Sequence, residues 1–404
     1  MNFLSTPRKR IVLFSLLYAS EGASIGFIWW TLPTELRSLG MQVDQITALT
    51  SLLVLPWALK FLWAPLVDIL RTPQWTLRSW IMSAQSMMIL SLLPLIVIDL
   101  SSSHTIVVSL FLLHALSAAT QDVSIDALCI NEVPPEERGA VNGWMQAGML
   151  FGRALFGGGA IAALQYFDMR TIATAMLVFI CSVLAVVFLA APRVRQVPVP
   201  ISEKRKEFLQ RFRLLVRSEV FWLGLLFAII GGAAYESVGV VAGPFFVDNG
   251  LSKDEIGFFF SLLSVAAMLS GALAGGYAVR LFGTFKIVQF SIVSVAGIVL
   301  ILAIIASMEN DSKVLILSVM TLLYFGIGTF TASTYTMFMN LTDPNLGATQ
   351  FSTFMGGTNI CESWSGYAVG FLIAQFGYSI AFAVMAGVSL FSLYVVFKLK
   401  EYRS

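Results

Sequence analysis

Residues 121–139 read QDVSIDALCINEVPPEERG. They close a long apolar run, and Asp122 and Asp126 interrupt that run four residues apart. On a helix this spacing sets both carboxylates on one face, about 6 Å apart along the axis. An aspartate near the centre of a bilayer costs on the order of 2.5–3.5 kcal/mol. Both are therefore expected to face a bundle interior or a water-filled path, with partners. Pro134–Pro135 and Glu136–Glu137–Arg138 then end the run in a turn that hydrocarbon excludes. A helix that carries acids inward and leaves into a charged turn points to a carrier.

Composition agrees. The 404 residues are 57% hydrophobic and 12% charged, with a mean hydropathy of +0.83. Soluble globular chains carry roughly 25% charge, so a water-facing surface of ordinary extent is excluded and the chain reads as a polytopic membrane protein. The net charge of +2 carries little information, because the placement of charge matters more than its sum. Cys129, Cys181 and Cys361 all lie in apolar segments and read as small buried hydrophobes. The first apolar run is long enough for a full span, so no signal peptide is expected.

About 20 apolar residues cross a bilayer. By that length, spans are expected near 11–33, 46–67, 79–99, 104–129, 140–164 and 171–191, then near 220–247, 256–279, 285–307, 314–340, 348–375 and 379–398. Residues 192–218, PRVRQVPVPISEKRKEFLQRFRLLVRS, are Pro-broken and strongly basic and separate the two sets of six. The expected domains are a six-helix bundle over 1–191, a cytoplasmic basic linker over 192–218 and a second six-helix bundle over 219–404. With the N-terminus inside, cytoplasmic segments hold about 19 of the 25 basic residues. The outer loops hold Arg37, Arg170, Lys253 and Lys313. Both termini and the linker are thus expected in the cytoplasm. The halves also repeat one another. Leu32-Pro33 followed by Gly40 to Ile46 recurs as Gly243-Pro244 followed by Gly250 to Ile256.

Charged residues inside spans narrow the site. Glu21 lies in span 1, Lys60 in span 2, His114, Asp122 and Asp126 in span 4, Arg153 in span 5, Glu236 in span 7 and Glu362 in span 11. Carboxylates outnumber fixed cations, which suits a carrier that loads a proton on one side and discharges it on the other. Glu21, Asp122, Glu236 and Glu362 are the candidates for proton coupling. The competing reading is that such acids only bridge helices, and Lys60, Asp126 and Arg153 are candidates for that pairing. Lys60 shares the depth of Asp122, and Arg153 is placed either to hold Glu21 or to engage an anionic solute. Span 10 is crowded with hydroxyls, Thr329, Thr331, Ser333, Thr334, Tyr335 and Thr336, followed by Asn340. They either bond their own i−4 carbonyls or line a wet cavity. Cavity candidates are Trp29, Trp30, His114, Thr331, Tyr335 and Asn359, with an interfacial role as the alternative for the tryptophans. Gly157–Gly159 and Gly271, Gly275 and Gly276 read as sites of close helix packing.

Residues 55–68, LPWALKFLWAPLVD, resemble the second-span signature of the AmpG-like branch of the major facilitator superfamily, and 121–127 with 135–139 resemble its fourth-span signature. The resemblance runs over residues 14–145. It implies an all-α membrane protein with twelve transmembrane helices in two pseudo-symmetric six-helix bundles. It also implies a multi-pass protein of the bacterial inner membrane driving uptake with protons. The branch includes muropeptide permeases, acetyl-CoA transporters and siderophore importers of the pyochelin and rhizobactin type. A compact twelve-span chain and the run Leu32-Pro33-Thr34-Glu35-Leu36-Arg37 favour the siderophore type. The superfamily's gating loop is matched by Asp68, Arg71 and Arg78, with Glu136 and Arg138 after span 4. The counterpart after span 8 keeps Arg280 and Lys286 but lacks the acid.

A membrane-embedded enzyme is disfavoured: the chain has no HExxH and two histidines in all. A sensor or scaffold would not need acids in the membrane. No cofactor, metal or nucleic-acid partner is expected; the expected partners are a small-molecule solute, protons and the lipid bilayer, with a monomer as the working unit.

Overall fold

The computed structural model describes residues 6–70, 75–97, 104–134, 138–190, 206, 209–210, 213–308, 312–341 and 347–401. Among them the ordered elements are helices. Ten stretches are long and apolar enough to cross a membrane: Pro7–Ser38, Val43–Leu62, Leu77–Ile96, Ile106–Cys129, Met169–Leu189, Glu219–Asp248, Lys253–Phe282, Thr284–Ser307, Lys313–Leu341 and Thr353–Glu401. The last holds two spans, because Gly377 turns the chain with φ 78°. The fifth span is Arg138–Arg153 continued through Ala154–Gly159 and Ala160–Ala163. Twelve spans result. Most of the linker expected over 192–218 lies outside the described residues.

Two compact units are formed, Met1–Leu32 with Leu59–Lys204 and Pro33–Ala58 with Arg205–Ser404. Most of span 2 (residues 43–58) and the end of span 1 thus cluster with the second unit. In the first unit Phe14, Leu17 and Tyr18 of span 1 pack with Ile81 of span 3, Ile125 of span 4 and Val183 of span 6. Spans 1 and 5 approach at backbone distance. A Cβ on Gly22 or Gly152 would overlap the carbonyl of Met149 or Ala19, the small-residue packing that membrane helices rely on without a hydrophobic drive between them. Gly157 packs on Trp30 in the same seam, and in the second unit Gly271 and Gly275 meet Phe325 and Thr329. Gly276 differs from expectation: it faces open space.

Span 1 is longer than the sequence reading. Phe27–Thr31 is wound as a π turn, whose wider i→i−5 bond from Leu32 N to Phe27 O accommodates Pro33 just beyond it. The helix therefore continues to Ser38. Span 2 contains Pro56 and tightens into a 3₁₀ turn at Lys60–Leu62; the missing proline donor loosens the ladder just ahead of Lys60. The sequence repeat is a structural repeat. Met41 N donates to Leu36 O and Gly40 N to Arg37 O; Leu251 N donates to Phe246 O and Gly250 N to Val247 O. Each copy is a Schellman ending, with Gly40 at φ 88° and Gly250 at φ 72° supplying the left-handed residue.

Candidate functional site

Span 4 presents Asp122 and Asp126 on one face of the first unit. Asp122, 4% exposed, accepts an ion pair from Lys60. Asp126 Oδ1 accepts from the Tyr18 hydroxyl at 2.5 Å. Glu21 stands one turn beyond Tyr18, 2% exposed, within electrostatic reach of both Tyr18 and Lys60. Among the described residues this buried group brings three carboxylates, Glu21, Asp122 and Asp126, around the Lys60 ammonium.

Beside this cluster runs a neutral network. Gln121 donates to Ser20 Oγ at 3.1 Å, and Gln85 donates to the same hydroxyl at 3.4 Å. His114, 1% exposed, has Nε2 3.0 Å from Ser24 Oγ and Nδ1 3.1 Å from Ser91 Oγ and 3.3 Å from the Met88 carbonyl. A carbonyl only accepts, so Nδ1 is assigned the proton and Nε2 accepts from Ser24. His114, a candidate for the cavity wall, is enclosed and ties spans 1, 3 and 4 together. Trp30, 3% exposed, has its face occupied by the Arg153 guanidinium 5.0 Å from the ring centroid. Trp29 is half-buried. Arg78, expected in a gating loop, donates to the carbonyls of Val187 and Phe188 and fastens span 3 to the end of span 6. Arg71 and Glu136, and the side chains of Asp68 and Arg138, lie outside the described residues.

In the second unit span 7 breaks at Gly231–Gly232, between Glu219–Ile230 and Ala233–Asp248. Ser389 bridges the break, accepting from Ala234 N at 2.8 Å and donating to Gly231 O at 3.0 Å. Glu236 falls in the first turn of the second segment, beside a small cavity that it lines with Tyr235, Phe330, Thr334, Thr358 and Cys361. The space open to the centre of a water-sized sphere is about 10 Å³, about what a single water needs. The hydroxyls of span 10 mostly follow the structural alternative: Ser333 bonds Thr329 O at 2.9 Å and Thr336 bonds Ala332 O at 2.8 Å. Thr331 and Glu362 are half-buried, Tyr335 is exposed, and Asn359 donates to Trp57 O at 3.3 Å.

The same unit is tied where spans 1 and 7 end. Arg37 Nε meets Asp248 at 2.6 Å and Lys253 meets Glu35 at 2.6 Å. Tyr378 adds a hydrogen bond to Asp248 at 2.8 Å, and Lys313 pairs with Glu255 at 2.9 Å. The Arg37–Asp248 and Lys253–Glu35 pairs join the two copies of the repeat. Sequence reasoning missed them along with Tyr18; the repeat was the signal for the former, and the i, i+3 spacing of Tyr18 and Glu21 for the latter.

Residues 14–367 match the family described as the Major Facilitator Superfamily. A Rickettsia felis protein named as transporter AmpG 4 is 23% identical, with 97% of each chain covered. The anhydromuropeptide permease of Escherichia coli K12 is 22% identical over 94% of this chain and 77% of its own. The crystal structure of a D-xylose–proton symporter superimposes with a TM-score of 0.76 at 10% identity, covering 96% of this chain and 97% of that one. An inward-facing, unoccupied bacterial homologue of the lysosomal transporter Spinster gives 0.67 at 14% identity, over 98% and 96%. At such identities the structures speak for the fold alone.

Proposed function

Given that the chain belongs to the major facilitator superfamily, in its AmpG-like branch, we propose that it is a proton-coupled importer of anhydromuropeptide-type solutes in a bacterial inner membrane. That it is a membrane transporter follows from the family; solute, ion and direction are the proposal. The observation that carries the coupling is the buried group Tyr18, Glu21, Lys60, Asp122 and Asp126. Lys60 is committed to Asp122, so Asp126 and Glu21 are the groups on which an exchangeable proton sits. Tyr18, donating to Asp126, holds its carboxylate oriented toward the same interior. Arg153, stacked on Trp30, would meet the carboxylates of a sugar–peptide solute.

The relatives move the solute away from the siderophore reading. Matches over nearly the whole chain carry AmpG names, and one is a permease for anhydromuropeptides. The compactness that favoured a siderophore importer is shared by the Rickettsia relative, which is covered over 97% of its length. Membrane orientation rests on the basic residues of the inferred inner loops.

Uptake of radiolabelled anhydromuropeptide and of a ⁵⁵Fe-loaded siderophore should be compared in cells lacking their own importers for both. The proposal expects muropeptide uptake that an uncoupler abolishes, with siderophore uptake at background. The reverse pattern would overturn it.

A further inference from the structure

We propose that the break in span 7 is a binding site for a sodium-sized monovalent cation, held by Glu236, Thr334 and backbone carbonyl oxygen. This goes beyond the transported solute and does not depend on it.

The first observation is the break itself. Gly231–Gly232 keep right-handed dihedrals, φ −62°, ψ −36° and φ −85°, ψ −5°, but interrupt the hydrogen-bond ladder of the span. A helix that loses a rung of its ladder leaves a carbonyl oxygen, the negative end of the peptide dipole, available to a cation. Of the last carbonyls before the break, Phe227 O takes the Gly231 amide and Ile229 O takes the Trp364 indole N–H at 2.7 Å. The Gly232 N–H is directed at the Cys361 sulfur. The Ala228 carbonyl, whose residue lines the cavity, is thereby left out of the helical ladder among the described residues.

The second observation is independent of the break. Thr334 Oγ1 lies in the cavity wall, its residue 1% exposed, and has no hydrogen-bond partner. Its neighbours on span 10, Ser333 and Thr336, satisfy themselves on i−4 carbonyls; Thr334 does not. A buried hydroxyl left without a partner costs about 1–3 kcal/mol, and a ligand in the cavity removes that cost. Thr358 adds an oxygen on the wall, its hydrogen spent on Met355 O at 2.7 Å and its lone pairs remaining.

The chemistry selects the occupant. The wall combines one carboxylate with neutral hydroxyl and carbonyl oxygens, a hard oxygen set. One negative charge balances a monovalent cation and leaves a divalent one uncompensated in low dielectric. The aromatic walls Phe227 and Phe330 exclude bulk water, and the cavity is too small for an organic solute.

The test uses the purified full chain in detergent, with melting temperature read in NaCl and in choline chloride of equal ionic strength. A sodium-dependent rise is expected. Thr334→Val should weaken the apparent sodium affinity by about ten-fold or more, whereas Thr334→Ser, which restores the hydroxyl, should keep it. Glu236→Gln should abolish the response. If Thr334→Val does not fold, Thr358→Val provides the second probe and should weaken the response in the same sense. Equal melting in sodium and choline, or an undiminished sodium response in both Glu236→Gln and the threonine variant, would overturn the site. Muropeptide uptake is not part of this readout, so failure here leaves the transport proposal standing, and failure of transport leaves this one.

Discussion

The Tyr18 hydroxyl donates to Asp126 at 2.5 Å, joining span 1 to span 4 across 108 residues. Hydrogen bonds to charged groups contribute about 1.5–3 kcal/mol when buried. Tyr18→Phe should lower the melting temperature and reduce pH-driven accumulation, while solute exchange without net proton movement survives. Asp126→Asn should do the same. Because the two residues act through one contact, the double variant should lose little more than either single one. Fully additive losses in stability would mean the contact is not shared.

Lys60 and Asp122 allow a sharper cycle. A buried ion pair adds little net stability, yet removing one partner strands a charge at about 3–5 kcal/mol. Asp122→Asn and Lys60→Met should each destabilise the protein, and the double variant should recover much of the loss. Melting temperatures of the four proteins decide it. A double variant as unstable as the sum of the singles would show that Lys60 does not compensate Asp122 in the membrane.

The legibility of this site has a physical limit. Sequence spacing gives depth along a helix but not its azimuth. Lys60 and Asp122 were readable as a pair because both lie at one depth on neighbouring spans. Arg153 was readable only as a charge within a span; it lies over Trp30 beside π turns in spans 1 and 5, which no residue pattern announces. Twelve spans were readable from hydropathy and glycine–proline punctuation. The break at Gly231–Gly232 was not, since the apolar run passes through it without interruption, and neither was the enclosure of His114 by two serines.

Arg37 and Asp248 join the paired turns at the C-terminal ends of spans 1 and 7. Partly exposed pairs are worth about 0–1 kcal/mol, so breaking this one should leave folding intact and act on opening. Thr34, 1% exposed, packs under Gly243 in the same region. In a background without other cysteines, Thr34→Cys should be labelled slowly by a membrane-impermeant maleimide and faster once Arg37→Ala is added. Exchanging the charges, Arg37→Asp with Asp248→Arg, should restore slow labelling. Equal rates in all three would remove the pair from the opening step.

Asp168, outside the spans, caps the helix of span 6. It accepts from the Thr171 hydroxyl at 2.6 Å and the Thr171 amide at 2.9 Å, and these hydrogen bonds, the hydroxyl's foremost, hold its carboxyl below the usual aspartate range. A depressed acid contributes stability above its unfolded value, near 3.9, and loses it as pH falls through the lower folded value. Asp168→Ala should therefore reduce stability at neutral pH and flatten the acid limb of the melting curve. An unchanged acid limb would show that the cap carries no linkage.

The central claim is solute-linked proton movement through the first unit. The direct measurement is internal pH in proteoliposomes, read with an enclosed dye after anhydromuropeptide is added outside with no imposed gradient. The account predicts acidification of the lumen in the unmodified protein and its loss in Asp126→Asn. Solute entry with no change in internal pH would contradict it.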